Sequence, residues 1–532
     1  MSIEMNRRTF VTTAAAGIFA AGAAAGVTGC SNSSGSDSTA SDGAETEESS
    51  QAPVEIAETV ECDIVIVGGG ITGLAAAVQA GENGSNTILV ERGDDVGGNG
   101  QGVEGTFAIN SSLQKEQGIE LELKDIIRSE LEGSQWRSDG LLWKDFIMAS
   151  ADNFAWLVDN GVQFSGVVES YGTPHGAPTF HWFEGGKGSI AYVPAMSARA
   201  DELGVTKMLK TVAKDLISED GVVKGVYVEN ADGEVIAIQS KAVILASGGF
   251  ADDNELVSKI GYKEDNLIQI GVPGNEGFGY KSAMKLGAWD TLKWATFNTN
   301  NIILALPHEV PIDPINGCVG MGQGGPFLWI NQDGERFVDE NLAAANFELQ
   351  TVPHWNHKMT YTVFDSKIFA DWTVSKDIET AEAVDILNAS LETNEGDSFW
   401  SGETIEEVAE KAGLPVEAVK ATVDYYNESC DLGSDRDFGK DVAMMQKIAT
   451  PPFYIGRITA EILMTVGGIG TNRKFEVVTE DGDPIPGLYA IGTDGNMLYR
   501  NIYTIDVPGS CSASGIHGGR VAANEAKKYY EG

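Results

Sequence analysis

Three glycines, Gly68, Gly70 and Gly73, stand in the spacing G-x-G-x-x-G. They follow an apolar run, Asp63–Val67, and precede a small-residue stretch, Leu74–Ala80. This spacing suits the pyrophosphate of a dinucleotide. Gly68 permits a tight turn, Gly70 lets the backbone approach phosphate oxygens, and Gly73 lets the next helix pack close on the strand. The start of that helix, with Thr72 in its first turn, offers unpaired N–H groups to the anion. Thr87–Val90 then reads as a second strand ending in Glu91-Arg92, where a carboxylate can accept from ribose hydroxyls. Strand, turn, helix, second strand and acid in that order carry far more information than the glycines alone.

Those residues need a sheet to hold them, and three more stretches supply its other ends. Gly97-Gly98-Asn99-Gly100 is a second backbone-exposing turn. Ala242–Leu245 runs into Ala246-Ser247-Gly248-Gly249-Phe250, and Gly487–Ile491 runs into Gly492-Thr493-Asp494-Gly495. In a parallel α/β sheet such strand ends collect on one edge, so segments far apart in the chain meet one ligand.

The chain has 532 residues, 64 of them glycine, and many glycines cluster beside apolar runs, as backbone packed around a ligand requires. Its formal net charge of -42 excludes nucleic-acid or anionic-lipid binding through a basic face. The charge describes either a solvated acidic surface or a docking face for a basic electron-transfer partner. None of the five cysteines, Cys30, Cys62, Cys318, Cys430 and Cys511, lies in C-x-x-C or C-x-x-C-H. That argues against an intrinsic c-type haem, an iron–sulfur cluster or a structural metal site. One-electron carriers are expected on another chain.

The amino terminus reads as an address. Arg7-Arg8 leads into an apolar, alanine-rich run, Phe10–Val27, and then Val27-Thr28-Gly29-Cys30. The pattern resembles a twin-arginine signal with a lipobox. Residues 1–29 are then a signal, Cys30 a lipid anchor, and the Ser-, Gly- and acid-rich residues 30–54 a disordered tether. The expected location is the extracytoplasmic face of the membrane. No later run is long and apolar enough to span a bilayer, so the rest is expected to be soluble.

As a whole, residues 60 to 525 resemble the fumarate reductase flavoprotein family, which includes flavocytochrome-type fumarate reductases and 3-ketosteroid dehydrogenases. The resemblance is carried by the stretches above together with Asn331-Gln-Asp-Gly334-Glu-Arg336-Phe337-Val-Asp-Glu340, Thr465-Val-Gly467-Gly468 and Pro508-Gly509-Ser510 through Gly519-Arg520. It implies an α/β fold: a Rossmann-like FAD-binding domain with an inserted α+β capping domain. The implied limits are 55–300 and 465–532 for the FAD domain and 301–464 for the cap. It implies non-covalent FAD held by Gly68, Gly70, Thr72, Gly73, Glu91, Arg92, Gly98, Asn99, Gly100, Ala246, Ser247, Gly248, Gly492 and Asp494. Val212 is implied near the adenine, and Ser510 and Ser512 near the flavin pyrimidine at the start of the last helix.

The same resemblance breaks at the substrate. The family's proton-donating Arg falls at Ala344, its His before T-x-G-G at Met464, and its carboxylate-holding Arg near Asp506. An Arg and Glu of its proton path fall near Gln323 and Gly320, and the ketosteroid dehydrogenases' Tyr before Pro-Gly falls at Val507. A small diacid needs fixed cations that this chain lacks. Tyr499, Arg500 and Tyr503 are the candidates for substrate contact or proton donation; the alternative is that the tyrosines pack against the cap. Trp289, Trp294, Trp329 and Phe337 either line an apolar pocket or belong to the core. Arg336 reads as structural, and His308 as a surface or core residue. The expected activity is reduction of an electron-poor C=C in an organic acceptor other than fumarate, by hydride from flavin N5, with electrons from a separate cytochrome or quinol-linked donor. The rivals are a 3-ketosteroid-type dehydrogenase and a non-catalytic ligand-binding lipoprotein.

Overall fold

The computed structural model describes residues 55–171, 176–261, 267–269, 271–303, 325–342, 351–375, 385, 387–388, 391–392, 398–500, 503 and 507–532, with backbone alone for 268, 296–303, 373–375 and 461. The expected signal, tether and Cys30 anchor lie outside the described residues.

β-Branched runs build a sheet buried on both faces. Its strands lie in the spatial order Glu476–Val478, Pro484–Ala490, Val235–Leu245, Ile56–Val67, Thr87–Val90 and Thr206–Met208. The five from Pro484–Ala490 onward pair in parallel. Ile64, Val65 and Ile66 are fully buried, as expected of a strand covered on both sides. An antiparallel extension, Val212–Glu219 with Val222–Glu229, joins along Val235–Leu245. Register decides what this sheet can do. Val67 is level with Leu245 on one side and Val90 on the other, and Ala490 is level with Leu245. Gly68, Glu91, Ala246 and Ile491 therefore leave the sheet in one row, along its carboxyl edge.

The first helix, Ile71–Glu82, carries small residues because it is gripped on both sides. A Cβ on Gly519 of the last helix, Ser510–Glu531, would lie 2.8 Å from Ala76 N and Thr72 O, so these helices touch backbone to backbone. A three-stranded sheet, Gly105–Phe107, Phe180–Phe183 and Phe164–Glu169, sits beside the start of the last helix, where Phe107 N donates to Gly509 O at 3.1 Å.

The second body is a six-stranded, mainly antiparallel sheet. The long strand Phe453–Val466 pairs with Leu267–Gln269, Thr296–Ile303, Thr360–Asp365 and Phe399–Gly402, and Leu328–Asn331 forms the far edge. Its own core is built from Phe327, Phe364, Phe399, Tyr426 and Ile455 among others. Two of its strands begin before residue 301, so the limit read from sequence falls inside Thr296–Ile303. A short strand carries no mark of which sheet will pair with it.

Candidate active site

The glycine turn shows what the first site is shaped for. Gly68 has φ +108°, and a Cβ there would lie 2.2 Å from Ala246 O. A Cβ on Gly73 would lie 1.8 Å from Gly68 O. Both are required by the protein itself. Gly70 is different: its φ is -71°, and the nearest atom to a Cβ would be Gly97 O, at an ordinary 3.8 Å. The fold leaves room for a side chain that the sequence withholds. Gly70 opens the first helix, whose amino end has no side-chain cap and no acid in its first turn. A bare backbone with N–H groups pointing outward fits a pyrophosphate.

Around it the other expected groups converge. The Glu91 carboxylate is held rigid, accepting from Gly69 N and from Gly93 N, each at 2.7 Å. Thr211 N donates to Glu91 O at 2.9 Å, which brings Val212 alongside. Across the sheet edge the buried Asp494 accepts from Ser247 N at 2.5 Å, Ser247 Oγ at 2.9 Å and Gly249 N at 3.0 Å. Burial pushes the Asp494 carboxyl up, against those three bonds. This lock sets the path of Ala246-Ser247-Gly248. Gly492 packs on Thr72, where a Cβ would meet its Oγ1 at 2.6 Å. Ser512 Oγ is engaged with Gly105 O and Gly509 O, both at 3.0 Å, so it fixes the start of the last helix rather than facing outward. That helix also lacks a side-chain cap and a first-turn acid, which suits negative charge on the pyrimidine of a reduced flavin.

One contributor was missed in the sequence. The strap Gly271–Gly279 crosses the same edge. Asn99 Oδ1 accepts from Val272 N at 2.6 Å, and Arg92 Nη1 donates to Gly274 O at 2.5 Å. Gly277 N donates to Gly249 O at 3.1 Å and Gly279 N to Ser247 Oγ at 3.2 Å. Arg92 and Asn99 thus hold the strap. The signal was present as four glycines in nine residues, at 271, 274, 277 and 279.

The candidate catalytic residues separate into two kinds. Tyr499 and Tyr503 are buried, with rings edge-to-face at 4.8 Å, in a cluster with Phe107, Trp143 and Phe146. Tyr499 donates to Ser510 Oγ at 2.7 Å. Burial pushes both phenols well above their ordinary range, so both stay protonated. Arg500 lies over Trp294, 4.6 Å from the ring centroid, and 5.9 Å from that of Trp289. Its Nε is buried with no hydrogen-bond partner among the described residues. Burial lowers the guanidinium pKa, against the charge of Asp139. Arg500, Tyr499, Trp294, Thr291, Asn496 and Gly467 line one narrow recess. A second cavity, of about 30 Å³, lies across Asn496 and Met497, bordered by Phe146, Arg473 and His517.

The four aromatic candidates do not form one wall. Trp289 and Trp294 pack edge-to-face at 5.4 Å beside Arg500. Trp329 is fully buried, stacked with Phe337 and tilted against His354 in the second body. There Arg336 is bound at 2.8 Å to Glu340 and at 2.7 Å to Asp435, which makes it part of the framework. Met464 is partly buried against the Tyr499 cluster, and Val507 is fully buried within it. Ala344, Asp506, Gln323, Gly320 and His308 lie outside the described residues. Among the described residues no group of His, Cys, Asp and Glu could hold a metal, and no helix is long and apolar enough to cross a membrane.

Comparison with known proteins places this arrangement. Residues 63–504 match the FAD binding domain family. The chain is 31% identical to vinyl phenol reductase of Lactiplantibacillus plantarum, over 88% of this chain and 96% of that one. It is 28% identical to urocanate reductase of Eggerthella lenta, over 90% of this chain and 76% of that one. In structure it overlays the open conformation of a flavocytochrome c3 fumarate reductase with a TM-score of 0.65, at 22% identity, covering 89% of this chain and 79% of that one.

Proposed function

Because the chain belongs to the FAD-dependent family that includes the fumarate reductases and vinyl phenol reductase, we propose that it reduces a C=C bond conjugated to an aromatic ring bearing an oxygen substituent. FAD, when bound, supplies the hydride. The protein supplies the rest. Gly70, the first helix, Glu91 and the Ser247–Asp494 lock would hold the nucleotide without a covalent bond, and the uncapped start of the last helix would favour negative charge on the reduced flavin.

The observation that carries the reading is Arg500. Its guanidinium is stacked on Trp294 with a buried Nε that has no acceptor among the described residues. A buried donor without a partner costs about 1–3 kcal/mol, which a phenol or carbonyl oxygen of the acceptor recovers. Tyr499, held protonated, lines the same recess as a proton source. The name of the vinyl phenol reductase relative supports this class of acceptor. Electrons come from a separate donor protein, docked at the extracytoplasmic face of the membrane. Support for that lies in the Arg7-Arg8 to Cys30 leader pattern, the charge of -42 and the lack of any C-x-x-C-H haem motif.

The test is anaerobic mixing of reduced holoenzyme with vinylphenols and with fumarate. The expected result is flavin reoxidation by the aryl alkene and none by fumarate. Arg500→Lys keeps the charge but loses the planar donor and the stack, and weakens acceptor binding roughly tenfold, or about 1.4 kcal/mol, at unchanged flavin content. Reoxidation by fumarate alone would refute the proposal.

A further inference from the structure

We infer that Thr291 and Arg500 together form a subsite for a free hydroxyl on the acceptor's ring, with Thr291 as the residue that sets the preference for it. This rests on the reading of Arg500 as the residue that meets the acceptor's oxygen. Thr291 is 1% exposed and lines the same narrow recess as Arg500. Its Oγ1 is buried and, like Arg500 Nε, has no hydrogen-bond partner among the described residues.

The place of Thr291 in the chain makes its unused hydroxyl informative. It immediately precedes the short turn Leu292–Trp294, where a threonine oxygen ordinarily accepts from the backbone of the turn. Here no such side-chain bond forms. Asp290 Oδ1 accepts from Leu292 N at 2.8 Å, and Thr291 O accepts from Trp294 N at 2.8 Å. Thr291 N donates to Gly468 O at 3.0 Å. The backbone of Thr291 thus ties the Gly467-Gly468 turn to the segment whose Trp294 carries Arg500, and the hydroxyl alone is left over.

The amide and the phenol in the same recess are already engaged. Asn496 Nδ2 donates to Ser514 Oγ at 3.1 Å, and Asn496 Oδ1 accepts from Leu498 N at 2.9 Å. Tyr499 donates to Ser510 Oγ at 2.7 Å. Two unmatched atoms therefore share one recess. Arg500 Nε can only donate, and Thr291 Oγ1 can donate or accept.

A phenolic hydroxyl satisfies both at once. Its oxygen accepts from Arg500 Nε–H, and its hydrogen goes to Thr291 Oγ1. An ether oxygen has no hydrogen to give, and its alkyl group would have to enter the same narrow recess. Buried polar groups left unpaired by the wrong ligand make such a site more selective than an apolar pocket. No bond forms or breaks at the subsite; it selects and orients the acceptor.

The experiment titrates oxidised holoenzyme with 4-ethylphenol and with its methyl ether, read by flavin difference absorbance, beside steady-state reduction of 4-vinylphenol. Wild type, Thr291→Val and Thr291→Ser are compared. Wild type should bind the phenol at least about 10²-fold more tightly than the ether. Thr291→Val keeps the shape of the side chain and should bind the phenol about tenfold more weakly. Its KM for 4-vinylphenol should rise by the same factor with kcat little changed. Thr291→Ser restores phenol binding, and flavin content is the same in all three. A Thr291→Val variant that binds the phenol as tightly as wild type, or that loses flavin, overturns the subsite. So does a wild type that binds phenol and ether alike, a comparison that stands even where the valine variant does not fold. In each of these cases reduction of 4-vinylphenol by wild type leaves the proposed function standing. A wild type that no aryl alkene reoxidises overturns the proposed function, and the subsite with it.

Discussion

Replacing Gly70 by alanine separates what the fold needs from what the cofactor needs. The new Cβ meets no protein atom closer than Gly97 O at 3.8 Å, and φ of -71° suits an L-residue. Less backbone freedom in the unfolded chain favours the variant by about 0.4–1 kcal/mol. A poorer helix N-cap costs up to about 1 kcal/mol. The apoprotein's stability should therefore change by less than about 1 kcal/mol. FAD is another matter, because the methyl group projects where the pyrophosphate must approach the helix amino end. Loss of one or two charge-assisted hydrogen bonds, at about 1.5–3 kcal/mol each, weakens binding by at least about tenfold. Gly73→Ala is the control. Its Cβ would lie 1.8 Å from Gly68 O, so it should destabilise the apoprotein by more than the roughly 1–3 kcal/mol typical of overpacking. Thermal unfolding of apoprotein and FAD titration by fluorescence quenching measure both quantities. If Gly70→Ala binds FAD as tightly as wild type, the argument that Gly70 is bare for the cofactor is wrong.

The second body gives two more tests. Lys440 and Glu340 are both fully buried, 3.1 Å apart, so Lys440→Met strands a charge and should cost about 3–5 kcal/mol in urea unfolding. Burial would raise the Asp435 carboxyl, but hydrogen bonds from Arg336 and from Lys440 N and Asp437 N bring it down to about 2. A folded pKa below the ordinary 3.8 stabilises the protein fully above that value, and the contribution is lost as pH falls from 3.8 to about 2. Asp435→Asn should remove that component, measured as a shallower fall of the unfolding midpoint over that acid range.

The nucleotide half of the site could be read from residue order because its chemistry is local. Gly68, Gly70, Gly73 and Glu91 sit within one strand–helix–strand unit, and the turns at Ala246 and Gly492 announce themselves as apolar runs ending in glycine. Parallel pairing then leaves them little choice but a common edge. The expectation that the diacid-binding cations are replaced was likewise drawn from residue types at motif positions, most of which lie outside the described residues. The rest depended on contacts between segments far apart. The Gly271–Gly279 strap belongs to the site only because Asn99 and Arg92 reach it. Trp329 and Trp294 look alike in sequence, yet one is sealed in a separate core and the other carries Arg500. Tyr499 and Tyr503 are neighbours on one short segment, but the residues that bury them, Phe107, Trp143 and Phe146, come from a different part of the chain. Burial, which sets the tyrosine pKa values and leaves the Arg500 Nε without a partner among the described residues, is a property of the packed chain and has no counterpart in the order of residues.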